Sequence, residues 1–222
     1  MNSNIHQGHK VLQYGADLKE AELAVILLHG RGATADSMLP LAEALSLEKA
    51  SFIIPQAGLN RWYPNSAFAP IATNEPDLSM ALELIGSLVA DIQQEGFINA
   101  QIAFGGFSQG ACLALEYVAR NPHSYAGTFA FTGALIGPPD QRYAYKGNFK
   151  EMPVFIGGSD VDPWVAHDLL VQSADIFEEM GARVDFRVYP GMAHTVVQDE
   201  IDAVREMLLE KIILDDPWQQ SK

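Results

Sequence analysis

The sequence predicts an α/β fold: a mostly parallel central sheet covered by helices on both faces. Three observations carry that expectation. Short apolar segments alternate with longer stretches of helical periodicity along the chain. Most short segments are apolar throughout, as in "LAVILL" at 23–28, which is the pattern of strands buried on both sides. Most of them stop at glycine or proline, the residues that break a strand and open a turn.

Taken in order, residues 11–14 read as an extra strand or hairpin, and 23–28 as a strand ending at His29-Gly30. Residues 35–46 place Met38, Leu41, Ala42 and Leu45 on one helical stripe. Residues 51–54 form a short strand stopped by Pro55. Residues 78–94 carry Leu82, Ile85, Val89 and Ile92 at helical spacing. A strand at 101–104 runs into glycines, and a helix follows over 111–119. Strands are expected at 126–132, 154–156 and 184–189, the last stopped by Pro190-Gly191. Helices are expected at 163–180 and 195–213, with Thr195 and Gln198 forming a capping box at the start of the latter. Segments 56–75 and 133–152 read as long loops, the usual material of pocket walls.

The chain's 222 residues, 48% of them apolar, suit one domain spanning 1–222 with a sizeable core. A net charge of −14 disfavours nucleic acid and anionic membranes as partners. The lone cysteine, Cys112, excludes an internal disulfide and agrees with a reducing compartment. The start, "MNSNIHQGHK", has no apolar leader core, and no apolar run is long enough for stable membrane insertion. These features set a cytoplasmic location as the expectation.

The stretch "FGGFSQG" holds the chemistry. Gly106 and Gly110 flank Ser108 between an apolar strand and a helix. A sharp strand-to-helix turn would lift the serine off the sheet and bring its neighbours too close for a Cβ, which glycine lacks. The G-x-S-x-G spacing resembles the nucleophile elbow of α/β-hydrolases. A serine hydroxyl needs a base and a group that orients the base, in the chain order Ser, Asp or Glu, His. His6, His9 and His29 precede Ser108; His123 and His167 belong to a helix end and a helix; His194 follows the last strand and is the expected base. Asp160 and Asp162, in "GGSDVDPWV", are both candidate acids, and spacing alone does not separate them. The expected oxyanion donors are the backbone N–H of Gln109, at a helix start, and that of Arg31, on the loop after an early strand. His29 on that loop is expected to be a structural hydrogen-bonder. Gly30 to Ala35 also matches the dinucleotide fingerprint G-x-G-x-x-A. That reading needs an acidic residue about 20 positions on, and the next strand ends instead in Pro55-Gln56.

With His29-Gly30-Arg31-Gly32, the Ser108 elbow, Asp162-Pro163 and Gly191-Met192-Ala193-His194 in order, the chain resembles the phospholipase/carboxylesterase family from about residue 20 to 212. The resemblance implies a compact α/β-hydrolase without a large lid, a Ser108–His194–Asp162 triad, no cofactor or metal, frequent homodimers, and hydrolysis of carboxylic esters. It is the resemblance that selects Asp162 over Asp160. Thioesters and lysophospholipids are the alternative substrates, and a catalytically silent binding module is the non-enzyme alternative. The chain departs from the family's H-G-L-G-D pattern at Arg31 and Ala33, so a cation joins the pocket rim. No counterpart of the hydrophobic acyl channel of eukaryotic thioesterases is visible, which points to small esters. Met38, Trp62, Phe68, Trp164 and Met192 are the expected pocket walls, and Cys112 is expected to be buried packing.

Overall fold

A computed structural model describes residues 4–141 and 143–214. Strands β1 (Val11–Gly15), β2 (Leu23–Leu28), β3 (Ala50–Pro55), β4 (Ile102–Phe107), β5 (Gly127–Phe131), β6 (Pro153–Gly158) and β7 (Arg183–Val188) form one seven-stranded sheet in the order β1-β3-β2-β4-β5-β6-β7. Only β1 runs antiparallel, against β3 at one edge; the other pairings are parallel. The α-helices among the described residues are α1 (Leu39–Leu45), α2 (Asp77–Gln94), α3 (Gln109–Arg120), α4 (His167–Glu179) and α5 (Gln198–Leu214). No described segment folds into a separate lid, and no described helix is long and apolar enough to cross a membrane.

The apolar runs explain the layering. In β2, Ala24, Ile26 and Leu28 face a core built with α2, α3 and α4, while Leu23, Val25 and Leu27 face one built with α1 and α5. Every residue of β2 is buried. Burial of one such leucine or isoleucine side chain stabilises the fold by roughly 1.5–3 kcal/mol. The strand order reverses direction between β2 and β4, so a crevice opens outside their carboxyl ends.

Several boundaries differ from expectation, each for a local reason. Strand β4 continues through Gly105 and Gly106 to Phe107, because both glycines pair with β2 and β5. The ring of Phe129 occupies the space a side chain at Gly105 would need. The helix expected at 35–46 is a 3-10 turn, Ala35–Met38, followed by α1, since Pro40 has no N–H to continue a ladder and suits a first turn. The helix expected from 163 begins at His167. Before it, the carboxylate of Asp162 accepts the N–H groups of Trp164 (2.7 Å) and Val165 (3.1 Å), making a separate turn. Helix α5 starts at Gln198 rather than 195: Glu200, not Gln198, reaches back, accepting the Val197 N–H at 2.9 Å, while the Thr195 carbonyl accepts from the Thr132 hydroxyl.

The two long loops are pinned by buried polar side chains. Gln109 accepts the Trp62 N–H and donates to the Tyr63 carbonyl, both at 2.9 Å, which fixes the first loop against the start of α3. Glu116 accepts from Arg120, from the Ile136 N–H and from the Tyr145 hydroxyl, which fixes the second against the middle of α3.

Candidate active site

Ser108 sits between the end of β4 and α3 with φ 55° and ψ −120°, outside the regions a side chain favours. Such a conformation typically costs about 1–3 kcal/mol and persists where its surroundings over-determine it. Here they do: the Ser108 N–H donates to the Phe131 carbonyl and its own carbonyl accepts from Cys112, both at 3.0 Å. The flanking glycines have the steric role the sequence suggested. A Cβ on Gly106 would lie 2.6 Å from both the Gly110 carbonyl carbon and the Leu28 carbonyl oxygen, and one on Gly110 would strike Leu28 and His29.

His194 follows β7 on a short loop. Its Nε2 lies 2.8 Å from the Ser108 hydroxyl, and its Nδ1 lies 2.7 Å from the second carboxylate oxygen of Asp162. A carboxylate only accepts hydrogen bonds, so Nδ1 carries the proton and Nε2 is left to accept from the serine. The Asp162 side chain is completely buried, and its other oxygen is held by the Trp164 and Val165 N–H groups. Asp160 makes no hydrogen bond or ion pair with the imidazole. Its carboxylate accepts the Gly191 N–H at 2.7 Å, tethering the loop that leads to His194.

Gln109 opens α3, so its N–H has no partner inside the helix. The Arg31 N–H likewise finds no acceptor among the described residues, although the next N–H, of Gly32, donates to the Asn60 carbonyl at 2.7 Å. Gly30 brings the Arg31 loop close: a Cβ there would lie 3.6 Å from that of Ser108. Two free N–H groups beside a serine can hold a negatively charged oxygen. His29 is buried beneath this loop, with Nδ1 on the Gly30 carbonyl (2.8 Å) and Nε2 accepting the Ala57 N–H (3.1 Å). Burial holds its pKa below the ordinary value, so the ring is a neutral strut.

A cavity of about 520 Å³ opens over Ser108 and His194. Of the five expected wall residues, Phe68 and Trp164 line it and Met38, Trp62 and Met192 do not. Met38 packs on the opposite side of the sheet with α1. Trp62 is a support beneath the site: its indole N–H donates to the His29 carbonyl at 2.8 Å. Met192 turns back on Tyr189. Walls that the sequence reading missed include Phe107 and Val165. Cys112 is buried as expected, with its thiol pushed up to about 12 by burial, and it also contributes to the cavity floor.

Glu200 was not singled out by the sequence. One carboxylate oxygen caps Val197; the other, buried against Gly157, has no hydrogen-bond partner among the described residues. Burial, opposed by the Val197 N–H, raises its pKa from 4.5 to about 7. The fold therefore favours the protonated form, and the associated stability is present below about pH 4.5 and lost as pH rises through about 7. A shift of this size corresponds to on the order of 3 kcal/mol. Glu200→Gln is expected to gain thermal stability relative to the parent progressively between pH 5 and 8. A melting-temperature difference that stays constant over that range would refute this.

A family model described as phospholipase/carboxylesterase matches residues 14–212 of the chain. Acyl-protein thioesterase 1 of Saccharomyces cerevisiae is 26% identical, over 90% of this chain and 98% of the yeast protein. Acyl-protein thioesterase 1 of Neurospora crassa is 28% identical, over 85% and 86%. Among solved structures, a phospholipase/carboxylesterase from Dyadobacter fermentans is 44% identical, with a TM-score of 0.86, over 91% of this chain and 97% of that one. A Bacillus cereus carboxylesterase shares the fold at 19% identity and a TM-score of 0.75, over 95% and 100%.

Proposed function

The chain belongs to the phospholipase/carboxylesterase family, and from that premise we propose that it is a serine carboxylesterase acting on small carboxylic esters through an acyl-enzyme. The observation that carries the reading is the unbroken line of hydrogen bonds from the Ser108 hydroxyl through His194 to the buried Asp162 carboxylate. In this mechanism Ser108 attacks the ester carbonyl as His194 Nε2 takes its proton. Asp162 holds the ring in that tautomer and stabilises the imidazolium. The Arg31 and Gln109 N–H groups bind the oxyanion, each contributing roughly 3 kcal/mol. His194 then protonates the leaving alcohol, and water attacks the acyl-enzyme by the reverse route.

A second reading, an acyl-thioesterase on the same machinery, is favoured by the relatives that bear that name. A fluorophosphonate probe is expected to label Ser108, and para-nitrophenyl esters are expected to turn over best with short acyl chains. Turnover that rises steadily to long-chain thioesters would favour the second reading. Absence of labelling at Ser108 in folded protein would favour the silent binding module.

A further inference from the structure

Among the described residues lining the cavity, Arg31 alone carries a permanent charge. No carboxylate lies within ion-pair distance of its guanidinium among the described residues. It is held instead by backbone carbonyls: Nη1 donates to Pro64 at 2.8 Å and Nη2 to Asn65. The same group lies 6.0 Å from the centre of the Tyr63 ring. These contacts anchor it beside the wall formed by Tyr63, Ser66, Ala67 and Phe68, one residue from Gly30, where a Cβ would lie 3.6 Å from that of Ser108. Carbonyl dipoles orient a guanidinium without cancelling its charge, and it has five N–H donors in all. Partial burial makes that charge more costly, as the lowered pKa reflects. An oriented, unpaired cation at an apolar reaction cavity is what an incoming anion requires.

We propose that Arg31 is a specificity-determining residue that receives a carboxylate on the substrate, so that the preferred ester joins an apolar body to an anionic group. The inference rests on the esterase reading above. The net charge of −14 repels anions at long range. Direct charge-assisted hydrogen bonds at the cavity mouth act at short range and are about twice as strong as neutral ones.

A guanidinium that merely tied its loop to Pro64 and Asn65 would affect all esters alike, so the test is a ratio. kcat/KM is measured for two matched pairs. One places the charge on the acyl side: para-nitrophenyl hydrogen adipate against para-nitrophenyl hexanoate. The other places it on the leaving group: para-acetoxybenzoate against para-acetoxybenzamide. Arg31→Gln is expected to lower the anionic-to-neutral ratio by about tenfold or more in at least one pair, and the pair affected identifies the side of the ester that carries the charge. Arg31→Lys, which keeps the cation but loses the fork, is expected to fall between the two. Ratios unchanged within about twofold in both pairs, with readily measured turnover, would overturn the role of Arg31 and leave the esterase reading standing. A parent enzyme inactive on all four compounds would overturn both.

Discussion

Ser108→Ala is expected to reduce kcat/KM for para-nitrophenyl acetate by about ten-thousandfold or more while leaving the fold intact. The alanine removes one oxygen, whose assigned hydrogen bond is to His194 Nε2. The backbone bonds that fix the elbow, from the 108 N–H to Phe131 and from Cys112 to the 108 carbonyl, do not involve that oxygen. Alanine meets the same steric demand at φ 55° as serine, so the change in melting temperature should be small. The two quantities separate a chemical role from a structural one. A variant that keeps most of its activity and its melting temperature would show that the nucleophile is elsewhere.

The second large effect is expected at Asp162, and its size follows from how the carboxylate is held. In Asp162→Asn the amide oxygen is the atom able to accept the Trp164 and Val165 N–H groups, so the amide nitrogen is turned toward His194. That nitrogen donates, which forces Nδ1 to accept and moves the ring proton to Nε2. The nitrogen facing Ser108 can then no longer take its proton. A loss of about a thousand- to ten-thousandfold in kcat follows. Asp160→Asn keeps an oxygen for the Gly191 N–H and is expected to cost no more than about tenfold. The reverse order of losses in parallel kinetic measurements would make Asp160 the orienting acid.

The layered sheet was legible because burial on both faces makes continuous apolar runs, as in β2. The Ser108 elbow was legible because its steric demand is local and glycine answers it. The position of His194 after the last strand reflects the rule that such sites gather at the carboxyl edge of a parallel sheet. The acid was not settled by local spacing: Asp160 and Asp162 share one loop, and which of them faces the imidazole depends on the turn made by Trp164 and Val165. The cavity walls were harder still. Trp62 looks like a pocket aromatic, yet its place beneath the site is set by bonds to His29 and Gln109 from distant parts of the chain. Glu116 and Glu200 lie within helical patterns, where a glutamate ordinarily marks a solvated face; the burial of Glu116 follows from the second long loop packed over it, and that of Glu200 from its approach to Gly157 in β6.

The amide of Gln109 couples two parts of the enzyme that evolution or an engineer would wish to vary separately. Because it grips the backbone of both Trp62 and Tyr63, shifting that stretch to reshape the binding space would also drag the start of α3, and with it the Ser108 hydroxyl. Retuning of substrate range is therefore best sought at Phe68 and at the ring of Trp164, which is 70% exposed. Their side chains border the cavity without fastening the backbone at Ser108, so they can change size with little effect on its geometry.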